Sequence, residues 1–220
     1  EIYDLIQLAF HLADQYRNFV VVLSDGIIGQ MMETIELRPL DFNSLPEKDW
    51  AVRGTKHHPD GVRRTVLAAQ GLLPTPNSPY ASYLELLQAL DKKYRHMREA
   101  EQRWETFQLE DAELVLVAYG YTSRVSKEAV VEARLRGLNV GLIRPSTLWP
   151  FPYEVIRKRA RPGAQFLVVE DSLGQLLEDV ELAVQGKADI HFLGALARHD
   201  PTDGGMILPD RVLEEILRLL

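Results

Sequence analysis

Residues 112–152 read AELVLVAYGYTSRVSKEAVVEARLRGLNVGLIRPSTLWPFP, and the fold is decided within them. Leu114, Val115, Leu116, Val117 and Ala118 form an apolar run. The turn Tyr119-Gly120-Tyr121-Thr122-Ser123 follows. Val125, Ala129, Val130, Ala133 and Leu135 then recur near one helical face, with Lys127, Glu128, Glu132, Arg134 and Arg136 mostly on others. Gly137 is placed to end that helix, because a left-handed C-cap costs glycine little. Val140-Gly141-Leu142-Ile143 is a second apolar run. Strand, helix and strand in so short a span make a βαβ unit, whose strands are parallel and need helices on both faces of the sheet.

Downstream the pattern repeats. Residues 153–161 predict a short basic helix stopped by Pro162-Gly163. Residues 166–170 predict a strand, 173–184 a helix, 190–194 a strand and 209–220 a closing helix. The result is a βαβαβαβα domain with a mainly parallel sheet, three layers deep.

Upstream, residues 1–16 predict an amphipathic helix, and residues 19–23 (FVVVL) a fully buried strand. One helix and one strand do not make a sheet, so this αβ unit is expected to be the last of a truncated domain. Pro39, Pro46, Pro59, Pro74, Pro76 and Pro79 are half of the chain's twelve prolines and mark a linker. Residues 80–108 lack Pro and Gly and predict one helix of about 40 Å. The expected organisation is 1–37 as a domain remnant, 38–110 as a Pro-rich linker with a long helix, and 111–220 as the α/β domain.

Composition narrows the function. The 220 residues carry a net charge of −7, which gives no nucleic-acid footprint. There is no Cys, which excludes disulfides, a thiol nucleophile and an iron–sulfur cluster held by this chain's own thiolates. No apolar run reaches the roughly 20 residues of a membrane span, so a cytoplasmic protein is expected by default.

Ligands of open α/β sheets collect at the carboxyl ends of the strands, where helix N-termini present free N–H groups. The candidate binding residues are therefore Ser24, Asp25 and Gly26 after the first strand, Gly120 and Thr122 in the turn after the second, and Arg144. Each has a structural alternative. Asp25 caps the next turn or faces a ligand. Thr122 or Ser123 caps a helix beside a tight turn at Gly120. Arg144 binds an anion or pairs with Glu170. Asp171 or Ser172 caps the helix that follows. Glu170 and Asp171 are adjacent and point to opposite faces, which disqualifies them as an acid/base pair. His57 and His58 lack further metal ligands at suitable spacing apart from Asp60. No residue reads as catalytic.

The motifs carry a family resemblance. GYTSRVSKEAV followed by VGLIRPSTLWPFP resembles the second domain of the alpha subunit of 2-oxoacid:ferredoxin oxidoreductases, of the 2-oxoisovalerate and 2-oxoglutarate type. FVVVLSDGIIGQMME resembles the segment that ends the first, pyrimidine-binding domain of those subunits. Gly54, His57 and Gly61 match a connector motif of the family, with Pro59 where an acidic residue is more usual. VVEDSLGQLLEDVELAVQGKADIHFLG and GGMILPDRVLEEI resemble the subunit's end, with Gly205-Met206 and Pro209 aligned.

The resemblance implies an enzyme that oxidatively decarboxylates a 2-oxoacid to an acyl-CoA with thiamine diphosphate and passes electrons through iron–sulfur clusters to ferredoxin. It implies a beta subunit holding the diphosphate, magnesium and cluster, and gamma and delta subunits beside it. The family's catalytic Glu lies in the early part of the first domain, which this sequence does not match. The second domain resembles the transketolase C-terminal domain, whose work is assembly. The chain by itself is thus expected to be inactive and to bind no cofactor alone. A homo-oligomer is expected through the apolar residues 27–32. The alternative from another class is a non-catalytic α/β interaction module.

Overall fold

The computed structural model describes residues 1–42, 44–48, 80–197 and 205–220. The connector residues Trp50, Gly54, His57, His58 and Gly61, and the loop residues His199, Asp200 and Gly204, lie outside them. The chain divides into two compact units. One comprises Glu1–Ser24 and Met32–His96, the other Asp25–Met31 and Met97–Leu220.

The second unit carries a five-stranded sheet in the order β1-β3-β2-β4-β5. Its strands are β1 (Trp104–Phe107), β2 (Leu114–Val117), β3 (Val140–Pro145), β4 (Gln165–Val169) and β5 (Asp189–Leu193). β2 runs parallel to both β3 and β4, and β4 parallel to β5. The helices are α4 (Gly120–Leu135), α5 (Tyr153–Arg157), α6 (Gln175–Val184) and α7 (Pro209–Leu219). All four residues of β2 are buried, and the two-residue period sends them to opposite layers. Leu114 and Leu116 pack with Val130 and Ala133 of α4 and with Val212 and Ile216 of α7. Val115 and Val117 pack with Ile156 of α5 and with Leu176 and Val180 of α6. A continuous apolar run is what a strand buried on both faces requires, so the three-layer α/β expectation holds.

The expected helix over 80–108 is corrected. α3 (Tyr83–Ala100) stops eight residues earlier, and β1 follows as an antiparallel edge strand. Trp104 lies opposite Pro145 and Phe107 opposite Leu142. Residues 104–107 contain two aromatic residues and a Thr, and a ladder with β3 satisfies their backbone better than continued helix. Arg134 secures this addition. Its guanidinium donates to Val140 O at 2.7 Å, to Gln108 O at 2.7 Å, and to both Asp111 carboxylate oxygens at 2.8 Å. The hydrogen bond from Arg134 holds the Asp111 carboxyl below its usual range. Gly137, at φ 83, takes the left-handed position just past α4.

In the first unit, α1 (Ile2–Tyr16) ends on Arg17 in the left-handed region, with Asn18 N donating to Ala13 O at 3.1 Å. Gln7 ties the helix to the chain beyond it, accepting from Leu40 N at 2.9 Å and donating to Arg38 O at 3.4 Å. Residues 19–23 do not form the buried strand expected. They take no regular secondary structure, join no ladder among the described residues, and are exposed, Phe19 by 82% and Leu23 by 73%. β-forming side chains do not make a strand without a neighbour to exchange hydrogen bonds.

Candidate functional site

The chain leaves β2 toward β3 on one side and later builds β4 and β5 on the other. The strand order therefore reverses between β2 and β4, and the carboxyl ends of these two strands flank the crevice where such sheets take ligands. In this protein side chains at the ends of the two strands hydrogen-bond across it.

α4 begins at Gly120 and α6 at Gln175, and neither helix is capped by the residue before it. Their N–H groups are satisfied by carboxylates brought from elsewhere. Asp25 Oδ2 accepts from Tyr121 N at 2.8 Å, while its Oδ1 accepts from Ile28 N at 2.7 Å and caps α2 (Gly26–Gln30). Glu170, at the end of β4 and 2% exposed, accepts from Leu176 N through both oxygens at 3.0 and 2.9 Å. A negative charge in the first turn of a helix also complements its dipole.

Two phenols complete the network. The Tyr119 hydroxyl donates to Glu170 Oε1 at 3.1 Å and so joins the ends of β2 and β4. The Tyr121 hydroxyl donates to Asp171 Oδ2 at 2.6 Å and accepts from Ile207 N at 3.1 Å, tying the chain that leads into α7. The arrangement can hold loops and neutralise helix ends.

The cap expectations are corrected here. Thr122 and Ser123 do not accept from the α4 N-terminus. Thr122 Oγ1 donates to Tyr119 O at 2.7 Å and to Val169 O at 3.0 Å, and Ser123 Oγ donates to Gly120 O at 2.7 Å. Both sit inside the first turn, where a hydroxyl reaches carbonyls rather than amides. Asp171 pairs with Tyr121, and Ser172 bonds Gln175 and accepts from Gly174 N at 3.3 Å, so Glu170 is the cap of α6. Arg144 pairs with Glu105 of β1 at 3.2 Å instead of Glu170, because β1 lies beside β3 with these two residues in register.

Of the six candidates, the structure gathers Asp25, Gly26, Gly120 and Thr122 in one unit around the α4 N-terminus. Arg144 lies on β3, and Ser24 belongs to the unit of α1. Sequence reasoning missed Tyr119 and Tyr121 as hydroxyl donors. Their place in the turn after β2 was the available signal.

Burial, followed by the nearby Glu170 carboxylate, pushes the Tyr119 phenol up to about 12. Burial and then the hydrogen bond to Asp179, at 2.5 Å, do the same to Tyr153. A phenol raised above its ordinary value near 10 keeps its proton in the folded chain while the unfolded chain loses it. Their contribution to stability is full below pH about 10 and is lost as pH rises toward 12, with solvent screening reducing its size. Urea midpoints of wild type are expected to fall across this window, and less steeply in Tyr119→Phe and in Tyr153→Phe. Equal slopes in all three proteins would contradict the role given to these hydroxyls.

The sheet order and the covering helices define a mainly parallel α/β domain with side chains bonded across its switch point. Residues 112–204 match the family described as pyruvate:ferredoxin oxidoreductase core domain II. The chain is 38% identical over 216 residues to ketoisovalerate oxidoreductase subunit VorB of Methanothermobacter thermautotrophicus, a match covering 98% of this chain and 56% of that subunit. It is 30% identical over 237 residues to 2-oxoglutarate synthase subunit KorA of the same organism, covering 100% of this chain and 61% of that one. The solved 2-oxoglutarate:ferredoxin oxidoreductase from Magnetococcus marinus, with 2-oxoglutarate, coenzyme A and succinyl-CoA bound, superposes with a TM-score of 0.65 at 21% identity. That match covers 94% of this chain and 38% of that one, and at this identity it shows a shared fold. The chain belongs to the 2-oxoacid:ferredoxin oxidoreductase subunits. It spans a little over half the length of the VorB and KorA subunits.

Among the described residues, no group of three or more His, Cys, Asp or Glu stands close enough to hold a metal ion, and no helix is long and apolar enough to cross a membrane.

Proposed function

We propose that this chain is a C-terminal portion of the alpha subunit of a thiamine diphosphate-dependent 2-oxoacid:ferredoxin oxidoreductase, and that its own work is assembly. The observation that carries the reading is the match along 98% of its length to a ketoisovalerate oxidoreductase subunit. In this reading residues 1–37 are the end of a pyrimidine-binding domain, 38–110 a linker, and 111–220 the transketolase C-terminal-like domain II. The exposed apolar residues 19–23, with Met31 at 47% and Met32 at 98% exposure, are surface that the rest of the complex covers.

The donor set described here does not fit thiamine diphosphate and its magnesium. The Asp25 and Glu170 carboxylates are engaged by backbone amides, and the sequence has no Cys for a cluster. By the family resemblance, the diphosphate, magnesium and cluster belong to the beta subunit. Ferredoxin and CoA act at the level of the whole cytoplasmic assembly, which also includes gamma and delta subunits and a second copy of this one.

The test has two arms. Purified chain with a 2-oxoacid, thiamine diphosphate, CoA and an artificial electron acceptor is expected to show no turnover. The same chain is expected to co-purify with a coexpressed beta subunit of the ketoisovalerate type. Turnover by the isolated chain, freed of contaminating enzyme, contradicts the assembly role. Failure to bind that beta subunit contradicts the placement in this complex.

A further inference from the structure

The short helix α2 is bracketed in sequence by residues of the first compact unit, yet Asp25–Met31 belongs to the second. One carboxylate links it to the first turn of α4. Asp25 Oδ1 is spent on α2 itself and Oδ2 on Tyr121 N. The receiving side is shaped for that oxygen. Tyr119, at the N-cap of α4, offers no side-chain cap. Gly120 adopts φ 60, and a Cβ built on it would come within 2.6 Å of Asp25 Oδ2. Only glycine lets the carboxylate approach in this backbone conformation without strain.

We infer that Asp25 and Gly120 form a clasp that straps residues 25–31 onto the α/β domain, and that this strap is a releasable element rather than part of the domain's core. None of the strap's residues is buried within α2. The clasp lies one residue from the Tyr121 hydroxyl, which holds Asp171 and Ile207 N, so release of the strap loosens the lead-in to α7 as well. Asp25 is on this account a positioning residue acting through the first turn of α4.

Residue-resolved amide exchange on the full chain tests it. In Asp25→Ala the amides of Ile28, Gly29, Met31 and Tyr121 are expected to exchange about tenfold faster, the scale on which losing a cap destabilises a helix end. Those of Ile207 should follow, while Val115 and Leu116 in β2 should not change. Gly120→Ala leaves the Asp25 cap of α2 chemically intact and is expected to release the strap to a similar extent. The two changes combined should exceed either alone only slightly, since each breaks the same contact. If Gly120→Ala does not fold, Asp25→Asn decides, because one amide nitrogen must then face Ile28 N or Tyr121 N. Unprotected strap amides in the wild type, or unaltered exchange in Asp25→Ala and its companion variant, would overturn the inference.

Discussion

Glu170→Ala is expected to lower the melting temperature of the α/β unit by about 10 °C or more, through a loss of about 3 kcal/mol. The carboxylate is almost wholly buried and satisfies two donors, Leu176 N and the Tyr119 hydroxyl. Removing it strands Leu176 N inside the protein, at about 1–3 kcal/mol for a buried unsatisfied group, deprives the half-buried Tyr119 hydroxyl of its acceptor, and leaves a cavity besides. Glu170→Gln keeps the volume and one good acceptor, so about half that loss is expected. Differential scanning calorimetry of the three proteins gives the comparison. A melting temperature within about 2 °C of wild type for the Ala variant would mean that the α6 N-terminus finds another acceptor. Tyr119→Phe in the Glu170→Ala background should cost less than it does in the wild type, because the hydroxyl has already lost its partner.

The second large effect is expected at Gly141, in β3. A Cβ there would stand 2.7 Å from Gln108 O and 3.0 Å from both Leu109 Cα and Ala112 Cβ. These are mostly backbone atoms with little room to retreat. Gln108 O is held by Arg134, and Phe107 is paired with Leu142. Gly141→Ala is therefore expected to cost about 1–3 kcal/mol, the range for an overpacked core, and Gly141→Val more. The useful contrast is Gly26→Ala, where nothing lies within 4 Å of the added carbon. That variant should melt within about 2 °C of wild type. A Gly141→Ala protein as stable as wild type would show that the connection from β1 to β2 can move away from β3.

The sequence by itself determined the architecture of the α/β unit. Residues 114–118, 140–143, 166–170 and 190–194 read as strands of a mainly parallel sheet, and the helices between them carry one apolar face each. Those features are local, and so is the family likeness that rests on them. The tertiary structure alone decided three other matters. It made a strand of Trp104 to Phe107, because the open edge of β3 offered a ladder that no window of the sequence contains. It withheld one from residues 19–23, whose composition asks for a sheet that no described neighbour supplies. It also chose the acceptors at the carboxyl ends of β2 and β4. Asp25 reaches Tyr121 across 96 positions and Tyr119 reaches Glu170 across 51. The nearby hydroxyls of Thr122 and Ser123, which a reading along the chain favours, turn back to carbonyls. Hydrophobic periodicity is a property of adjacent residues and survives in the sequence. A buried N–H donates to whichever oxygen the fold delivers, and only folding settles which one that is.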